Sequence, residues 1–195
     1  MIAALGRSVL WRLVLTGTGG LRVDGRLPAR PCVLVANHNS HADTAALLAA
    51  VPAWRRPVVA AAADYWFARP VRALTCRTLV GGFPVRRAGG GAADLAGAAA
   101  LLAAGHDVIV YPEGTRSRDG SVAEFRSGAA RLASRAGVPL VPVGITGTRR
   151  LLPVHGRPGH ARVTVRFGTP TTDLPSARSA VVELAVPAGR HRRRP

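Results

Sequence analysis

Cys32-Val33-Leu34-Val35-Ala36-Asn37-His38-Asn39-Ser40-His41-Ala42-Asp43 opens as an unbroken apolar run and closes as a cluster of polar side chains. So short an apolar run suits a strand buried on both faces, and the alanine-rich stretch 43–50 behind it suits a helix. A strand handing over to a helix is the building unit of a parallel sheet. The handover carries an imidazole, His38, and a carboxylate, Asp43, five positions apart. On one continuous helix, five residues would turn the two side chains roughly 140° apart. They meet only if the chain reverses after Ala36 and Asp43 lies in the first turn of the helix. The carboxylate can then accept a hydrogen bond from the ring, fix its tautomer and leave the other nitrogen free as a general base. The spacing marks His38 and Asp43 as the candidate catalytic pair.

Outward from this stretch the same alternation continues. Short apolar runs at 32–36, 58–62, 82–86, 107–111, 140–145 and 162–167 predict strands, and 43–50, 92–104 and 127–136 predict helices. Gly105 and Gly137 follow two of these helices where a left-handed cap is wanted. Pro142 removes a ladder donor, which assigns its strand to a sheet edge or to a bulge. Residues 64–78, with Tyr65-Trp66-Phe67, read as a helical or irregular crossover whose aromatics belong to the core or to an acyl groove. A weaker helix covers 176–186. The expected fold class is therefore α/β, a single domain with a mostly parallel twisted sheet flanked by helices. Its expected divisions are an apolar N-terminal helix within 1–20, the domain at 21–187, and a basic flexible tail at 188–195.

With 195 residues and 48% apolar composition, the chain can bury a sizeable core. Its formal charge is +17, and all 27 basic residues are arginine. Without lysine, Schiff-base chemistry and a lysine-bearing P-loop are excluded. Arginine suits planar, bidentate contact with phosphate or carboxylate, and the excess points to a polyanionic surface, nucleic acid or an acidic membrane. Cys32 and Cys76 give no disulfide framework, so a reduced, cytosolic compartment is expected. No run reaches the roughly 18–20 apolar residues needed to span a bilayer. The stretch 1–15, broken by Arg7 and Arg12 and carrying Trp11, suits either a helix lying in a membrane interface or one packed on its own domain.

In open α/β sheets, chemistry collects at the carboxyl ends of strands. Two further polar clusters follow apolar runs there, Gly82-Phe83-Pro84-Val85-Arg86-Arg87 and Tyr111-Pro112-Glu113-Gly114-Thr115-Arg116-Ser117. Joined to the first, they would give one cleft a base, guanidinium groups, and a turn rich in hydroxyls and backbone donors. That layout suits transfer of a group to a hydroxyl on an anionic substrate.

His38-(four residues)-Asp43, Gly82 to Arg87, Pro112-Glu113-Gly114-Thr115-Arg116 and Val138-Pro139-Leu140-Val141-Pro142 occur in this order, and the chain over roughly 20–170 resembles the glycerolipid acyltransferase family, especially its bacterial 1-acylglycerol-3-phosphate acyltransferases. The resemblance implies that His38 deprotonates a lysophospholipid hydroxyl while Asp43 orients the ring. The oxygen then attacks the thioester of acyl-coenzyme A or acyl-carrier protein, with no covalent acyl-enzyme and no cofactor. The absence of a Gly-x-Ser-x-Gly elbow agrees independently. By the same resemblance, Arg87, Glu113, Gly114, Thr115 and Arg116 bind the acceptor's phosphate and glycerol, and Arg86 and Pro142 help shape that site. Glu113 could instead brace Arg116 or hold the turn's backbone donors. The implied setting is peripheral, on an anionic membrane at its cytoplasmic face. Arg86, where the family usually carries an acidic or polar residue, and Tyr111, where phenylalanine is commoner, depart from the pattern.

Two other readings use the same residues. His38, His41 and Asp43, completed by His155 and His160, could form a zinc hydrolase site, although no second motif has ligand spacing and no metal is expected. A nucleic-acid-binding module would explain the charge. It lacks zinc-finger spacing, an aromatic RNA-binding motif or a basic heptad region, so no nucleic-acid partner is expected.

Overall fold

β2, residues Val33–Ala36, runs through the middle of the sheet because all four of its side chains find apolar partners. Leu34 and Ala36 enter one core and Val33 and Val35 the other, as a strand covered on both faces requires. The molecule is a computed structural model and describes residues 1–86, 91–117, 119–153 and 156–187. The remaining strands are β1 (Leu21–Asp24), β3 (Val58–Ala62), β4 (Gly82–Val85), β5 (Val108–Val110), β6 (Leu140–Thr146) and β7 (Val163–Phe167). Their order is β1-β7-β6-β2-β5-β3-β4, with parallel pairing everywhere except between β6 and β7. The result is a single α/β domain with a mostly parallel sheet flanked by helices.

One layer holds α1 (Ile2–Gly17) and α2 (Asp43–Ala50), and the other holds α5 (Gly91–Ala103), α6 (Gly128–Ala136) and α8 (Leu174–Leu184). Short helices α3 (Ala63–Trp66), α4 (Pro70–Thr75) and α7 (Thr148–Leu151) sit in the connections. A 3-10 turn, Ala53–Arg55, and a π turn, Cys76–Val80, complete the first layer. Apart from Thr44, every residue of α2 is buried, because α1 covers the side that the sheet leaves open. Ala4, Ser8 and Leu15 are the buried residues of α1, and Arg12 Nε donates to the Ala49 carbonyl at 2.8 Å. Gly105 and Gly137, just beyond α5 and α6, take φ of 84° and 64°, the left-handed geometry of a cap.

The expected strands and helices recur with ends shifted by a residue or two, and the crossover 64–78 resolves into α3, α4 and the π turn. Two expectations need correcting. β1 was not foreseen, since Leu21-Arg22-Val23-Asp24 alternates too weakly to stand out from its surroundings. Pro142 is on no edge: β6 lies between β7 and β2. The bulge alternative is the one that holds. From Val143↔Phe167 to Leu140↔Thr171, three steps along β6 face four along its partner, so the ladder slips beside the proline that cannot donate. Arg87, His155 and the tail 188–195 lie outside the described residues.

Candidate active site

Where β2 ends, Asn37 continues the ladder with its side chain. Its Oδ1 accepts from the Ile145 amide at 2.7 Å and its Nδ2 donates to the Ile145 carbonyl at 3.0 Å. This frees the main chain to turn. Asp43, at the first position of α2, then gathers the turn around one oxygen. Its Oδ2 accepts from the Asn39 amide at 2.7 Å, from the Ser40 amide at 2.8 Å and from His38 Nδ1 at 2.9 Å. A buried carboxylate facing the ring assigns the proton to Nδ1 and leaves Nε2 as the accepting nitrogen. Asp43 is fully buried, whereas the His38 side chain is 20% exposed, which is what an oriented base facing a cleft requires. Ser40 pins the far side of the turn: its hydroxyl lies 2.6 Å from the Leu152 carbonyl and 3.0 Å from that of Thr148, and accepts from the Ala42 amide.

The loop after β5 closes over this turn. The buried Glu113 carboxylate accepts from the His38 amide at 2.7 Å and from the Ala123 amide at 3.0 Å, and the Ser117 amide donates to the His38 carbonyl at 2.7 Å. Glu113 is thus a brace between two loops rather than part of the cavity wall. Burial raises its carboxyl above the usual range, and the two amides oppose that rise. Gly114 turns with φ of 75°, a left-handed geometry that favours glycine, and the Arg126 guanidinium packs against its open side. Tyr111 lies face to face with His38, ring centres 4.0 Å apart and planes 18° from parallel, and its hydroxyl is 3.0 Å from that of Thr44 on α2.

A cavity of about 910 Å³ opens in front of His38. Thr115 and Arg116 line it beside Tyr111 and Gly114, with Arg126 and Arg131 on the α6 side. Its apolar walls come from both layers, Leu48 and Val59 from one, Leu95 and Leu132 from the other. Arg116 contacts the His41 ring, and burial together with that guanidinium lowers the His41 pKa. Arg86 reaches the rim and is engaged by Asp94, whose carboxylate takes the Arg86 amide at 2.8 Å and Nη2 at 3.2 Å. Pro142 is buried in β6 against Gly168 and is not among the residues lining the cavity. Among the described residues no group of three His, Cys, Asp or Glu side chains converges as a metal site, and His41 faces a cation.

The cavity therefore unites His38, Thr115, Arg116 and Arg86 on one wall system, with Asp43 and Glu113 behind it. Sequence reasoning missed Tyr111 as a stacking partner and Arg126 and Arg131 as wall residues. The arginines read as part of an amphipathic helix and its approach, and nothing local marks which face looks into a cavity.

The chain is similar to known proteins in sequence and in fold. A family model described as Acyltransferase matches residues 21–146. The chain is 37% identical over 134 residues to human 1-acyl-sn-glycerol-3-phosphate acyltransferase beta, covering 64% of this chain and 46% of that protein. It is 30% identical over 132 residues to the chloroplastic 1-acyl-sn-glycerol-3-phosphate acyltransferase BAT2 of Brassica napus, covering 63% and 35%. The matches thus span less than half of either relative. In three dimensions the crystal structure of the 1-acyl-sn-glycerophosphate acyltransferase PlsC from Thermotoga maritima superposes with a TM-score of 0.72 and 26% identity, over 93% of this chain and 76% of that one. With the family model covering most of the chain and the oriented His38–Asp43 pair inside the matched segment, this protein belongs to the acyltransferase family.

Proposed function

We propose that this protein transfers a fatty acyl chain from a thioester, acyl-coenzyme A or acyl-carrier protein, to the free hydroxyl of 1-acylglycerol-3-phosphate, giving phosphatidic acid. The observation that carries the reading is the His38–Asp43 contact of 2.9 Å at the wall of a largely apolar cavity bordered by arginines. His38 Nε2 takes the hydroxyl proton while Asp43 holds Nδ1–H. The alcohol oxygen attacks the thioester carbonyl, the carbon–sulfur bond breaks, and the departing thiolate takes the proton back from the imidazolium. All atoms are then accounted for without a cofactor. Tyr111 limits ring rotation during both proton transfers. Arg116 holds the acceptor phosphate, a role the family resemblance also assigns to Arg87, while the apolar walls take acyl chains. The acceptor is a membrane lipid, so the protein works peripherally on an anionic membrane, at the cytoplasmic face, with α1 against the lipid.

His38→Ala should lower turnover by about 10²–10⁴-fold, the range for a positioned base, with the circular-dichroism spectrum and melting temperature unchanged. Release of free thiol from acyl-coenzyme A and acyl-carrier protein in the presence of the acceptor measures it. A folded His38→Ala protein with near-native turnover refutes the base assignment. Arg116→Ala should raise KM for 1-acylglycerol-3-phosphate at least tenfold and leave a phosphate-free monoacylglycerol little affected. Equal loss on both acceptors removes the phosphate role.

A further inference from the structure

α1 is apolar on two faces. Ala4, Ser8 and Leu15 are buried against the domain, while Ile2, Leu5, Val9 and Leu13, spaced three or four residues apart, stay exposed along a separate stripe. A helix with a second apolar stripe has a second apolar surface to satisfy. Beside it the crossover between β3 and β4 does the same. Val71 is 75% and Leu74 64% exposed, one turn apart on α4. Trp11 Nε1 donates to the Leu79 carbonyl at 2.9 Å, tying α1 to the π turn that follows α4. Both elements belong to the same layer and border the same cavity, whose wall includes Trp11, Tyr65, Trp66 and Val80.

The charges around these apolar tips are predominantly positive. Arg69, Arg72 and Arg77 are exposed, and Asp64 is the one acidic residue in 63–80. The Arg72 guanidinium lies 4.8 Å from the Tyr65 ring centre and that of Arg77 5.4 Å from that of Phe67. Aromatic rings and arginines at one level, with aliphatic tips beyond them, are the pattern of a surface seated at the headgroups of a bilayer. An acidic protein would match the charge but offer no apolar medium for Val71 and Leu74. Resting on the reading that the acceptor is a membrane lipid, we infer that residues 63–80 are a membrane-inserting element in their own right. Val71 and Leu74 enter the acyl region of an anionic leaflet, the three arginines bind lipid phosphates, and the cavity opens to lipid between this segment and α1.

The test uses the full chain carrying Leu74→Cys, labelled with an environment-sensitive fluorophore, and Ser134→Cys on α6 as a site on the opposite layer. Cys32 and Cys76 are buried, with thiols pushed up to about 12 and about 11, so labelling goes to the introduced residue. With vesicles containing phosphatidylglycerol, the probe at 74 should shift to the blue and be quenched by brominated acyl chains, and the probe at 134 should do neither. Val71→Asp with Leu74→Asp should weaken vesicle binding about tenfold, while turnover on a short-chain acceptor dissolved in water stays within about twofold of native. A silent probe at 74, whether or not the protein sediments with vesicles, overturns the inference. So does a dimer in sedimentation velocity that requires Val71 and Leu74, because a second copy would then cover the patch. Failure of the acyl-transfer reading would instead appear as unimpaired turnover in His38→Ala, with the probe responses unaffected.

Discussion

Tyr111 reaches His38 across the turn that Asp43 shapes, and its hydroxyl contact with Thr44 ties the stacked pair to α2. Tyr111→Phe keeps the stack and removes only that contact, so kcat should fall about two- to fivefold, the loss of one modest hydrogen bond. Tyr111→Ala releases the ring as well and should cost tenfold or more, with KM for the acyl donor less affected. Glu113 supports the same imidazole from the backbone side. Burial raises its carboxyl above the ordinary 4.5, so the folded chain holds that proton more tightly than the unfolded chain does. Its contribution to stability is therefore complete below 4.5 and is lost as pH rises through the higher folded value. Lowering pH from 7 to 5 should raise the urea midpoint of the native chain relative to Glu113→Gln, and identical pH responses would contradict the assignment. The amide in Glu113→Gln turns a donor toward a backbone N–H, so kcat should drop about tenfold as the His38 turn loosens.

At the scale of elements, the end of the sheet away from the site is held by a buried pair. Arg55, in the 3-10 turn, meets Asp107, just before β5, through Nε and through Nη2 at 2.7 Å. Asp107 Oδ1 also accepts from the Cys32 amide at 3.1 Å, and Arg55 Nη1 donates to the Pro28 carbonyl at 2.7 Å. One ion pair thus joins the approaches to β2 and β5, the strands whose far ends carry His38 and Tyr111. Asp107→Ala would strand a guanidinium that is 4% exposed, and urea denaturation should show a loss of about 3–5 kcal/mol. Where the variant remains folded, its KM values should match those of the native chain, because neither residue touches the cavity. The hydrophobic pattern identified these strands, but it assigned Asp107 to the start of one of them and said nothing of Arg55. An ion pair 52 residues apart in sequence leaves no periodic trace.

Over the whole molecule, the proposed anionic membrane would make the +17 charge govern the approach to substrate. Salt shortens the reach of such a field from about 10 Å at 0.1 M to about 3 Å at 1 M. Turnover of acceptor carried in anionic vesicles should therefore fall severalfold between 0.1 and 1 M salt, whereas turnover of a short-chain acceptor free in water should change less than twofold. Equal losses would locate the charge effect inside the cavity and not at the membrane surface.

The sequence by itself determined what neighbours along the chain can encode. The apolar run before Ala36, the alanine-rich helix from Asp43 and the meeting of His38 with Asp43 follow from periodicity and from a turn only a few residues long. Only the tertiary structure decided which strand lies beside which, that β7 runs against β6, and that Pro142 sits at an interior bulge rather than at the site. It alone brought Glu113 to the His38 amide across 75 residues, Tyr111 onto the imidazole and Asp94 onto Arg86. The reason is physical: hydrophobic alternation says that a side chain is buried, while its partner depends on strand order and register, which pair segments far apart in the chain.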